Sequence, residues 1–429
     1  MTAENNHIQA ENRRRIVEYL QAGCQPVAAK ARHANGTLDV PGALGVEVEH
    51  FVVTDPDKRP VFYEPRDGKL GVRDVLEYLA QWYPVVDRNS VGEVLALRSD
   101  EASITIEPAA QLEISIAPLA RVDQVKSAYE HFRRVLDSFL HEHACQLLGL
   151  GYHPTTQALD MELIPKQRYR FMDEHFHHIG THGERMMRAS ASTQVSVDFT
   201  SEVDAVEKFR VALALGPILA YICDNAPVFE GKPNTIPLAR LNLWRDVDNA
   251  RCGIIPGAFD DGWDFGSYAD YLLGASPIFV TQPEVRAVGE TLARDAYGDR
   301  LMDQSDIEHL ISMFWPDVRL KQFVEIRPAD SMPADCIYGY AALIKGIFYA
   351  QESLQTIEEA LGVHEGIWPL HDDSVDSALQ AIRAEGRQAC VYGHSLTTWI
   401  DLLFEVAEQV LDTEERPCLA PLKRFAQEH

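Results

Sequence analysis

Four short segments of this 429-residue chain alternate strictly between polar and apolar side chains. They are GVEVEHFVV at Gly45–Val53, QLEISI at Gln111–Ile116, QVSVDF at Gln194–Phe199 and FVEIR at Phe323–Arg327. A period of two is typical of a strand that buries one face and keeps the other face polar. The four segments therefore predict an α+β fold, in which a curved, largely antiparallel sheet carries helices on its apolar face.

The polar faces of these strands carry carboxylates flanked by Gln and Ser, where Lys and Thr are usual on a solvated face. Several cations lie within or beside the same segments: Arg188, Arg251, Arg319, Lys321 and Arg327. For any single strand, a polar face that meets only water explains the pattern equally well. Acids that converge on one face repel each other unless cations lie between them, and a ligand set made only of oxygens suits Mg²⁺ or Mn²⁺. Because Mg²⁺ also bridges to phosphates, carboxylates beside Arg and Lys indicate nucleotide phosphate chemistry.

The charge balance excludes some partners. Lys and Arg number 39 against 65 Asp and Glu, which gives a formal net charge of −26. A protein that binds nucleic acid by neutralising phosphates needs a basic surface, so we expect no nucleic-acid partner. An anionic substrate must then be met by local cations or by a metal ion.

Length and composition fit an ordinary globular protein, with 46% hydrophobic and 24% charged residues. The length permits two or three average domains or one large enzyme domain, and we predict one catalytic domain over 1–429, with a helical C-terminal part over 351–429. Turn-rich stretches at Pro56–Gly71 and Pro154–Gly183 are the best candidate breaks. Apolar residues at helical spacing predict helices over Gln124–Leu148 and Ser395–Leu411, the second with Ser395 as its N-cap.

The cysteines and the N-terminus predict a cytoplasmic protein. Seven cysteines are scattered without the spacing of a disulfide framework or a metal site, and the first residues have no apolar signal region. The longest apolar stretch, Val211–Cys223, is about half the ~20 residues that a bilayer requires, so it predicts a buried helix and no membrane span. There is no Walker-A loop, and His175, His177, His178 and His182 are assigned to a polar loop without partner cysteines, which disfavours a metal site there.

Six ordered segments resemble the glutamate–cysteine ligases (γ-glutamylcysteine synthetases), in particular the plant-type branch that also occurs in bacteria. They are GVEVEHF at Gly45, IEPAAQLEISIAPL at Ile106, MMRASASTQVSVDF at Met186, LALGPILAYICDNAPVFEGKPN at Leu213, LWRDVDNARCGIIPGAFDD at Leu243 and FWPDVRLKQFVEIRPAD at Phe314. The resemblance extends over roughly residues 45–350. It implies a glutamine-synthetase-like fold, with the curved antiparallel sheet forming a funnel and helices packed outside.

The resemblance also implies a reaction. The γ-carboxylate of glutamate takes the γ-phosphoryl group of ATP, and the amino group of cysteine then displaces phosphate to give γ-glutamylcysteine, the first step of glutathione or related thiol synthesis. ATP is the co-substrate, and Mg²⁺ or Mn²⁺ is the expected metal. A γ-glutamyl ligase with another amine acceptor, or a non-catalytic protein that binds amino acid or nucleotide on this scaffold, are the alternatives. The protein is expected to be a monomer or a homodimer.

The motif positions imply roles for particular residues. Those for metal binding are Glu47, Glu49, Glu113 and Glu325, with Glu107 at the same rim. Those for ATP and its phosphates are Gln194, Lys321 and Arg327, the last as the catalytic, phosphate-stabilising cation. Those for glutamate are Arg251, as a catalytic carboxylate clamp, with Trp244, Asp248 and Arg188.

Several positions depart from the family pattern. Ala109-Ala110 replace a glycine pair, Ser196 replaces an asparagine, and Pro328 and Ser331-Met332 replace glycines. We interpret these changes as lying near the binding site of the acceptor amine. Whether the acceptor is cysteine is therefore left open. Ala191 replaces a cysteine of the plant regulatory disulfide, so we expect no such redox switch.

Overall fold

A nine-stranded antiparallel sheet is the centre of the computed structural model, which describes residues 3–24 and 42–428. Its strands are β1 (Leu44–Thr54), β2 (Val85–Arg88), β3 (Val94–Arg98), β4 (Ala102–Ile106), β5 (Leu112–Leu119), β6 (Cys145–Leu148), β7 (Thr193–Val197), β8 (Val318–Leu320) and β9 (Val324–Ile326). They lie in the order β8-β9-β7-β1-β5-β4-β3-β2, and β6 pairs with the end of β1. The predicted α+β class and antiparallel sheet are confirmed.

Strand register brings the acids of separate segments to one side of the sheet. Glu47 of β1 lies opposite Gln194 on β7, and Glu49 lies opposite Glu113 on β5. Glu325 of β9 lies opposite Ser196 on β7. The alternating partners in β1, such as Val46 and Val48, are completely buried on the other face. One face is therefore apolar core and the other is polar, as the alternation predicts.

Fifteen helices flank the sheet in the described residues. They are α1 (Ala3–Gln21), α2 (Val72–Leu79), α3 (Val122–Glu142), α4 (Gln167–His178), α5 (Gly183–Ala189), α6 (Glu202–Ile222), α7 (Ala239–Leu243), α8 (Phe265–Gly274), α9 (Ala293–Ala296), α10 (Gln304–Ile311), α11 (Ala334–Phe348), α12 (Gln351–Ala360), α13 (Asp372–Glu385), α14 (Leu396–Val410) and α15 (Leu419–Phe425). Two of them, α6 and α11, are buried along most of their length and pack on the sheet. The predicted buried helix over Val211–Cys223 is the second half of α6.

Short pieces connect these elements. Two-residue strand pairs join Val228–Phe229 to Lys232–Pro233, Cys252–Gly253 to Trp315–Pro316, Phe279–Val280 to Arg286–Ala287, and Cys390–Val391 to His394–Ser395. Single 3₁₀ turns lie at Ala158–Asp160, Trp244–Asp246, Gly386–Gln388 and Arg416–Cys418. No helix in the described ranges is both long and apolar enough to cross a membrane.

The C-terminal helices share the core with the sheet. One apolar cluster extends from Ile16 near the start of the described chain to Ala426 near its end. Lys345 of α11 forms a buried ion pair with Glu415, at 2.8 Å, and Glu415 also accepts a hydrogen bond from the main-chain N–H of Val122. Because a buried ion pair that loses one partner costs about 3–5 kcal/mol, this contact fixes the segment before α15 against the start of α3.

Two local predictions are wrong. The helix predicted over Gln124–Leu148 ends at Glu142, because Ala144 takes the left-handed conformation (φ 52°) and the next residues alternate in burial and pair with β1 as β6. The stretch over Pro154–Gly183 contains α4, so His175, His177 and His178 are helical and only His182 lies outside that helix. The N-cap prediction is confirmed, since the Ser395 hydroxyl accepts from the N–H of Thr398.

Candidate active site

A cavity lies on the polar face of the sheet, between the strands and the α4–α5 region. Its acidic wall is Glu47, Glu49, Glu107 and Glu113; its cations are Arg168, Arg319 and Arg327; the rest of the lining is Pro108, Gln111, Tyr169, Met172, Met186, Met187, Ser190, Gln194, Trp244, Ser312 and Trp315. Six strands or strand ends of the central sheet and two helices thus contribute to one pocket. Such convergence of polar groups in a concave site is typical of a ligand or catalytic site.

Hydrogen bonds orient two of the acids. Glu113 accepts from the hydroxyls of Thr105, at 2.7 Å, and Ser115, at 3.0 Å. Glu49 accepts from the main-chain N–H of Ser192, at 2.7 Å, and from the Gln194 amide, at 3.3 Å. Each donor is neutral, so the carboxylates are held in place without being neutralised.

The acidic wall is electrostatically strained. Burial and the neighbouring Glu113 carboxylate raise the pKa of Glu47 to about 7. Burial and the carboxylates of Glu107 and Glu113 raise the pKa of Glu49 to about 8. Burial and Glu107 also raise the pKa of Glu113. Perturbed carboxylates in a cleft are typical of functional sites, since a bound cation would relieve the repulsion.

Glu325 differs from the other acids because three cations surround it. It is completely buried, and its oxygens accept from Arg319 at 2.5 and 3.0 Å, from Lys321 at 2.8 Å and from Arg327 at 3.3 Å. Burial opposes ionisation, but these ion pairs outweigh it and hold the pKa of Glu325 well below its usual range. The β8–β9 hairpin therefore presents a cluster of positive charge beside the acidic wall.

Helix α4 supplies a second cationic wall. Arg168 donates to the Ser312 carbonyl through Nη2, at 3.3 Å, while its buried Nε has no partner among the described residues. Lys166 and the Tyr169 hydroxyl both donate to the Ile106 carbonyl, at 3.0 and 3.2 Å. An unpartnered guanidinium N–H at a cavity wall is suited to bind a carboxylate or phosphate oxygen of a ligand.

The turn between β4 and β5 sets the rim that holds Glu107. The N–H of Ala110 donates to the Glu107 carbonyl, and Ala110 has φ 67°, a left-handed conformation that favours glycine. The Gln111 amide accepts from the N–H of Ala109 and donates to the Met187 and Ser190 carbonyls, each at 3.1 Å. This turn therefore joins the sheet to the α5 end and explains why glycines suit this position in the family pattern.

The acids fit a hard divalent cation in chemistry. Within residues 3–24 and 42–428, no three Asp, Glu, His or Cys side chains form a closed cage for a metal ion. Mg²⁺ usually binds through one or two carboxylates, several waters and the phosphates of its substrate, so a closed cage is not required. The oxygen donors of Glu47, Glu49 and Glu113, with their raised pKa values, match that kind of site.

Seven of the twelve residues with predicted roles line the cavity. They are Glu47, Glu49, Glu107, Glu113, Gln194, Trp244 and Arg327. Glu325 and Lys321 lie directly behind the Arg319 and Arg327 side chains, in contact with the cavity wall rather than in it. The structure thus assembles the predicted acids and cations in one place, and their individual roles remain predictions.

The predicted glutamate residues Arg251, Asp248 and Arg188 are not part of the lining. Arg251 is 2% exposed; its Nε donates to Asp248 at 2.6 Å, and its buried Nη1 has no partner in the described chain. Asp248 also accepts from His175 at 2.8 Å. Arg188 forms an ion pair with Asp173. Asp248 and Arg188 contact side chains of α4, and Arg251 contacts Asp248, so all three lie outside the cavity lining and their role in binding glutamate stays a prediction.

The departures from the family pattern also lie outside the lining. Ser331 is completely buried, with its hydroxyl donating to the Glu49 carbonyl at 2.6 Å, and Met332 is 1% exposed. Pro328 faces Gly216 of α6, and Ser196 is opposite Glu325. None of these residues borders the cavity, and the interpretation that they lie near the acceptor amine stays a prediction.

Several lining residues, chiefly those of α4, were not predicted from the sequence. Arg168 and Tyr169 lie in the stretch interpreted as a break, although Tyr169, Met172 and Phe176 are buried at helical spacing. That spacing was the available signal. The pairing of Arg319 with Glu325 depends on the register of the β8–β9 hairpin, which the sequence does not show.

Comparison with known proteins identifies the family of the chain. The family model of glutamate-cysteine ligase family 2 matches residues 43–413. The glutamate–cysteine ligase B of Oryza sativa subsp. japonica, a chloroplastic protein, is 32% identical over 355 residues, which cover 80% of this chain and 67% of the relative. The chloroplastic glutamate–cysteine ligase of Arabidopsis thaliana is 30% identical over 353 residues, covering 80% of this chain and 64% of the relative.

A solved structure supports the fold. The glutamate–cysteine ligase of Francisella tularensis in complex with AMP superposes with a TM-score of 0.54 at 12% identity, covering 90% of this chain and 82% of that one. At that identity the likeness concerns the fold alone. The family model, in contrast, extends over most of the chain, including every strand of the cavity wall. The chain therefore belongs to glutamate-cysteine ligase family 2.

Proposed function

We propose that the protein joins the γ-carboxylate of glutamate to the amino group of cysteine with hydrolysis of ATP, giving γ-glutamylcysteine, ADP and phosphate. One observation carries this proposal. A wall of carboxylates on β1 and β5 faces a cluster of arginines from β8, β9 and α4 across one cavity, in a chain of the glutamate–cysteine ligase family. A nucleotide triphosphate with its metal needs both kinds of charge, whereas a simple amino-acid binder does not need the acidic wall.

The arginines suit the phosphoryl-transfer step. A carboxylate oxygen of glutamate attacks the γ-phosphorus of ATP, the bond to the β,γ-bridging oxygen breaks, and ADP leaves with that electron pair. Arg327 and Arg319 are fixed by Glu325 at the edge of the cavity, where they can stabilise negative charge on the transferred group. The amine nitrogen then attacks the acyl phosphate, phosphate leaves, and the nitrogen loses a proton.

The carboxylates on β1 and β5 would hold the metal. Glu47, Glu49 and Glu113 are the candidates, with Glu107 at the rim. Mg²⁺ or Mn²⁺ bound there supplies charge neutralisation to the phosphates. Because these acids have raised pKa values, the metal must displace protons when it binds, and its affinity should rise with pH between about 6 and 8.

An apolar wall favours a thiol acceptor. Met172, Met186 and Met187 line the cavity together with Trp244 and Trp315. The three thioethers are polarisable and offer no hydrogen-bond donor and only a weak acceptor, so they suit a CH₂–SH group better than a hydroxyl or a charged side chain.

A phosphate-release assay with purified protein tests the proposal. Reactions contain ATP, glutamate, Mg²⁺ or Mn²⁺, and one amine from a panel of cysteine, serine, alanine and 2-aminobutyrate, with EDTA as the metal-free arm. We expect release that requires glutamate and metal and is fastest with cysteine, with γ-glutamylcysteine identified by mass. Fastest turnover with another amine would reassign the acceptor, and no turnover with any amine would reject the ligase function.

A matched pair of variants separates the site from the scaffold. Glu113→Gln removes a lining carboxylate while keeping its shape, and Glu142→Gln removes an exposed carboxylate at the end of α3. We expect the first to lose metal-dependent turnover and the second to retain it. The proposed cytoplasmic location and the monomeric or homodimeric state are tested by fractionation of the source cells and by light scattering.

A further inference from the structure

We propose that Arg240 is a positioning residue, which fixes the position of Arg327 by hydrogen bonds to the chain directly after β9. Arg240 lies in the short helix α7 and is 4% exposed. It does not line the cavity, and no motif argument assigns it a role. Its guanidinium nevertheless makes three contacts with the segment that begins at Arg327.

The three contacts have good geometry. The Nη2 group of Arg240 donates to the carbonyls of Arg327 and Ala329, each at 2.8 Å, and Nε donates to the Asp330 carboxylate at 3.0 Å. The rigid planar fork of a guanidinium can make such a set of bonds, whereas the single ammonium of a lysine cannot reproduce it. Arg240 therefore fixes the backbone direction at the residue whose side chain enters the cavity.

The Asp330 carboxylate, which accepts from Arg240, is itself held in place by neighbouring main chain. Its second oxygen accepts from the N–H of Asn225, at 2.9 Å, and a Cβ placed on Gly151 would lie 2.1 Å from it. Asp330 is thus enclosed by main chain on two sides. Since the next residue, Ser331, donates to the Glu49 carbonyl, the same segment also touches the acidic strand β1.

Arg245, five residues after Arg240, helps to fix the main-chain N–H of Arg327 through Asp317. Arg245 forms a two-bond ion pair with the Asp317 carboxylate, at 2.6 and 2.8 Å, and the Asp317 carbonyl accepts the N–H of Arg327 at 3.2 Å. The N–H and the C=O of Arg327 are therefore both fixed by contacts that begin in residues 240–245. Trp244, between these two arginines, lines the cavity.

A double-mutant cycle tests the role of Arg240. Arg240→Lys keeps the charge next to Asp330 but loses the fork, and a displacement of about 1 Å at a catalytic group lowers rates roughly 100-fold. We expect kcat for ATP-dependent phosphate release to fall about 10- to 100-fold while KM for ATP and glutamate changes less than about threefold. In an Arg327→Lys background, the same change should lower kcat less than about threefold, because the group that Arg240 positions is already gone.

A purely structural role predicts a different result. If Arg240→Lys only reduced the fraction of folded enzyme, its effect on kcat would be the same in both backgrounds. Additive effects, or an unchanged kcat, would overturn the proposal. The matched control is Arg383→Lys, because Arg383 donates to the carbonyls of Pro237 and Leu238 just before α7 and, in the described part of the chain, forms no hydrogen bond or ion pair with residues 327–331. It should leave kcat unchanged.

Two further measurements cover a variant that does not fold and a wild-type enzyme that is inactive. If Arg240→Lys does not fold, Asp330→Asn is measured with and without Arg327→Lys: a fall in kcat that is larger when Arg327 is present supports the positioning role, and equal effects or an unchanged kcat overturn it. The inference rests on the proposed ligase activity, so wild-type enzyme is assayed alongside. An inactive wild type rejects the proposed function, whereas an active wild type with a normal Arg240→Lys variant rejects this inference alone.

Discussion

The left-handed turn at Ala110 gives a sharp test of how backbone conformation supports the site. Ala110 has φ 67° and is 2% exposed, whereas its neighbour Ala109 is 6% exposed and does not have a positive φ. The two alanines are therefore a matched pair that differs mainly in backbone conformation. Glycine at either position removes one methyl group and loosens the unfolded chain.

The expected magnitudes follow from these terms. Loss of the buried methyl costs about 0.8 kcal/mol, and the added freedom of the unfolded chain costs about 0.5–1 kcal/mol. Ala109→Gly should therefore lower the free energy of unfolding by about 1–2 kcal/mol. At Ala110 glycine also removes a left-handed strain of about 1–2 kcal/mol, so Ala110→Gly should stay within about 1 kcal/mol of wild type.

Urea unfolding of the two variants and the wild type measures this difference. We expect Ala110→Gly to be more stable than Ala109→Gly by about 1–2 kcal/mol, with equal m values. Turnover should be kept in Ala110→Gly, because the Gln111 amide still bridges to the α5 end. Equal destabilisation by the two substitutions would show that the turn does not impose the strain deduced from its φ angle.

Three further predictions concern the charges of the site. The pKa of Glu47 lies near 7 in the folded protein and at 4.5 when unperturbed, so its cost to folding is absent below pH 4.5 and complete above about pH 7. In EDTA, Glu47→Gln should be more stable than wild type by about 1–3 kcal/mol at pH 8.5 and equally stable at pH 4.5. The control variant Glu142→Gln should match the stability of wild type at both pH values. A stability difference that does not change with pH would contradict the raised pKa of Glu47. Glu325→Gln should lose turnover and about 3–5 kcal/mol of unfolding free energy, because three cations lose their counter-charge, and a normal urea midpoint would refute the ion cluster. Arg251→Ala should raise the KM for glutamate. If instead Arg168→Ala raises that KM and Arg251→Ala leaves it unchanged, the carboxylate clamp is Arg168 in the cavity wall.

The strands of the site were predictable because their signal is local. Alternation alone identified four of the strands and placed Glu47, Glu49, Glu113 and Glu325 on polar faces, with ends within three residues of those observed. The residue that follows each acid is buried, and three of the four (Val48, Ile114 and Ile326) are apolar, so a one-residue error in register would expose the core. Hydrophobic burial thus fixed the direction of every acid in advance.

Features that depend on long-range pairing were not predictable. Residues 145–148 continue the apolar pattern of α3, and only their pairing with the end of β1 makes them a strand. The contacts of Glu325 with Arg319 and Lys321 require the β8–β9 turn, and the position of Arg251 outside the cavity lining requires the packing of two distant segments. A short apolar run fits a helix or a strand equally well, and tertiary contacts decide between them.

The arrangement of charge in the cavity explains why one acid differs from its neighbours. Three cations of its own hairpin pair with Glu325, and two of them, Arg319 and Lys321, oppose the repulsion that its charge exerts on Glu47 in the wall formed by Glu47, Glu49 and Glu113. Those three acids have no basic hydrogen-bond donor, and the excess negative charge appears as raised pKa values. A divalent cation placed among them would remove that excess, whereas placed beside Glu325 it would meet three positive side chains. The metal should therefore enter on the β1–β5 side and the transferred phosphoryl group should face the β8–β9 side, which sets the direction in which the nucleotide lies across the sheet.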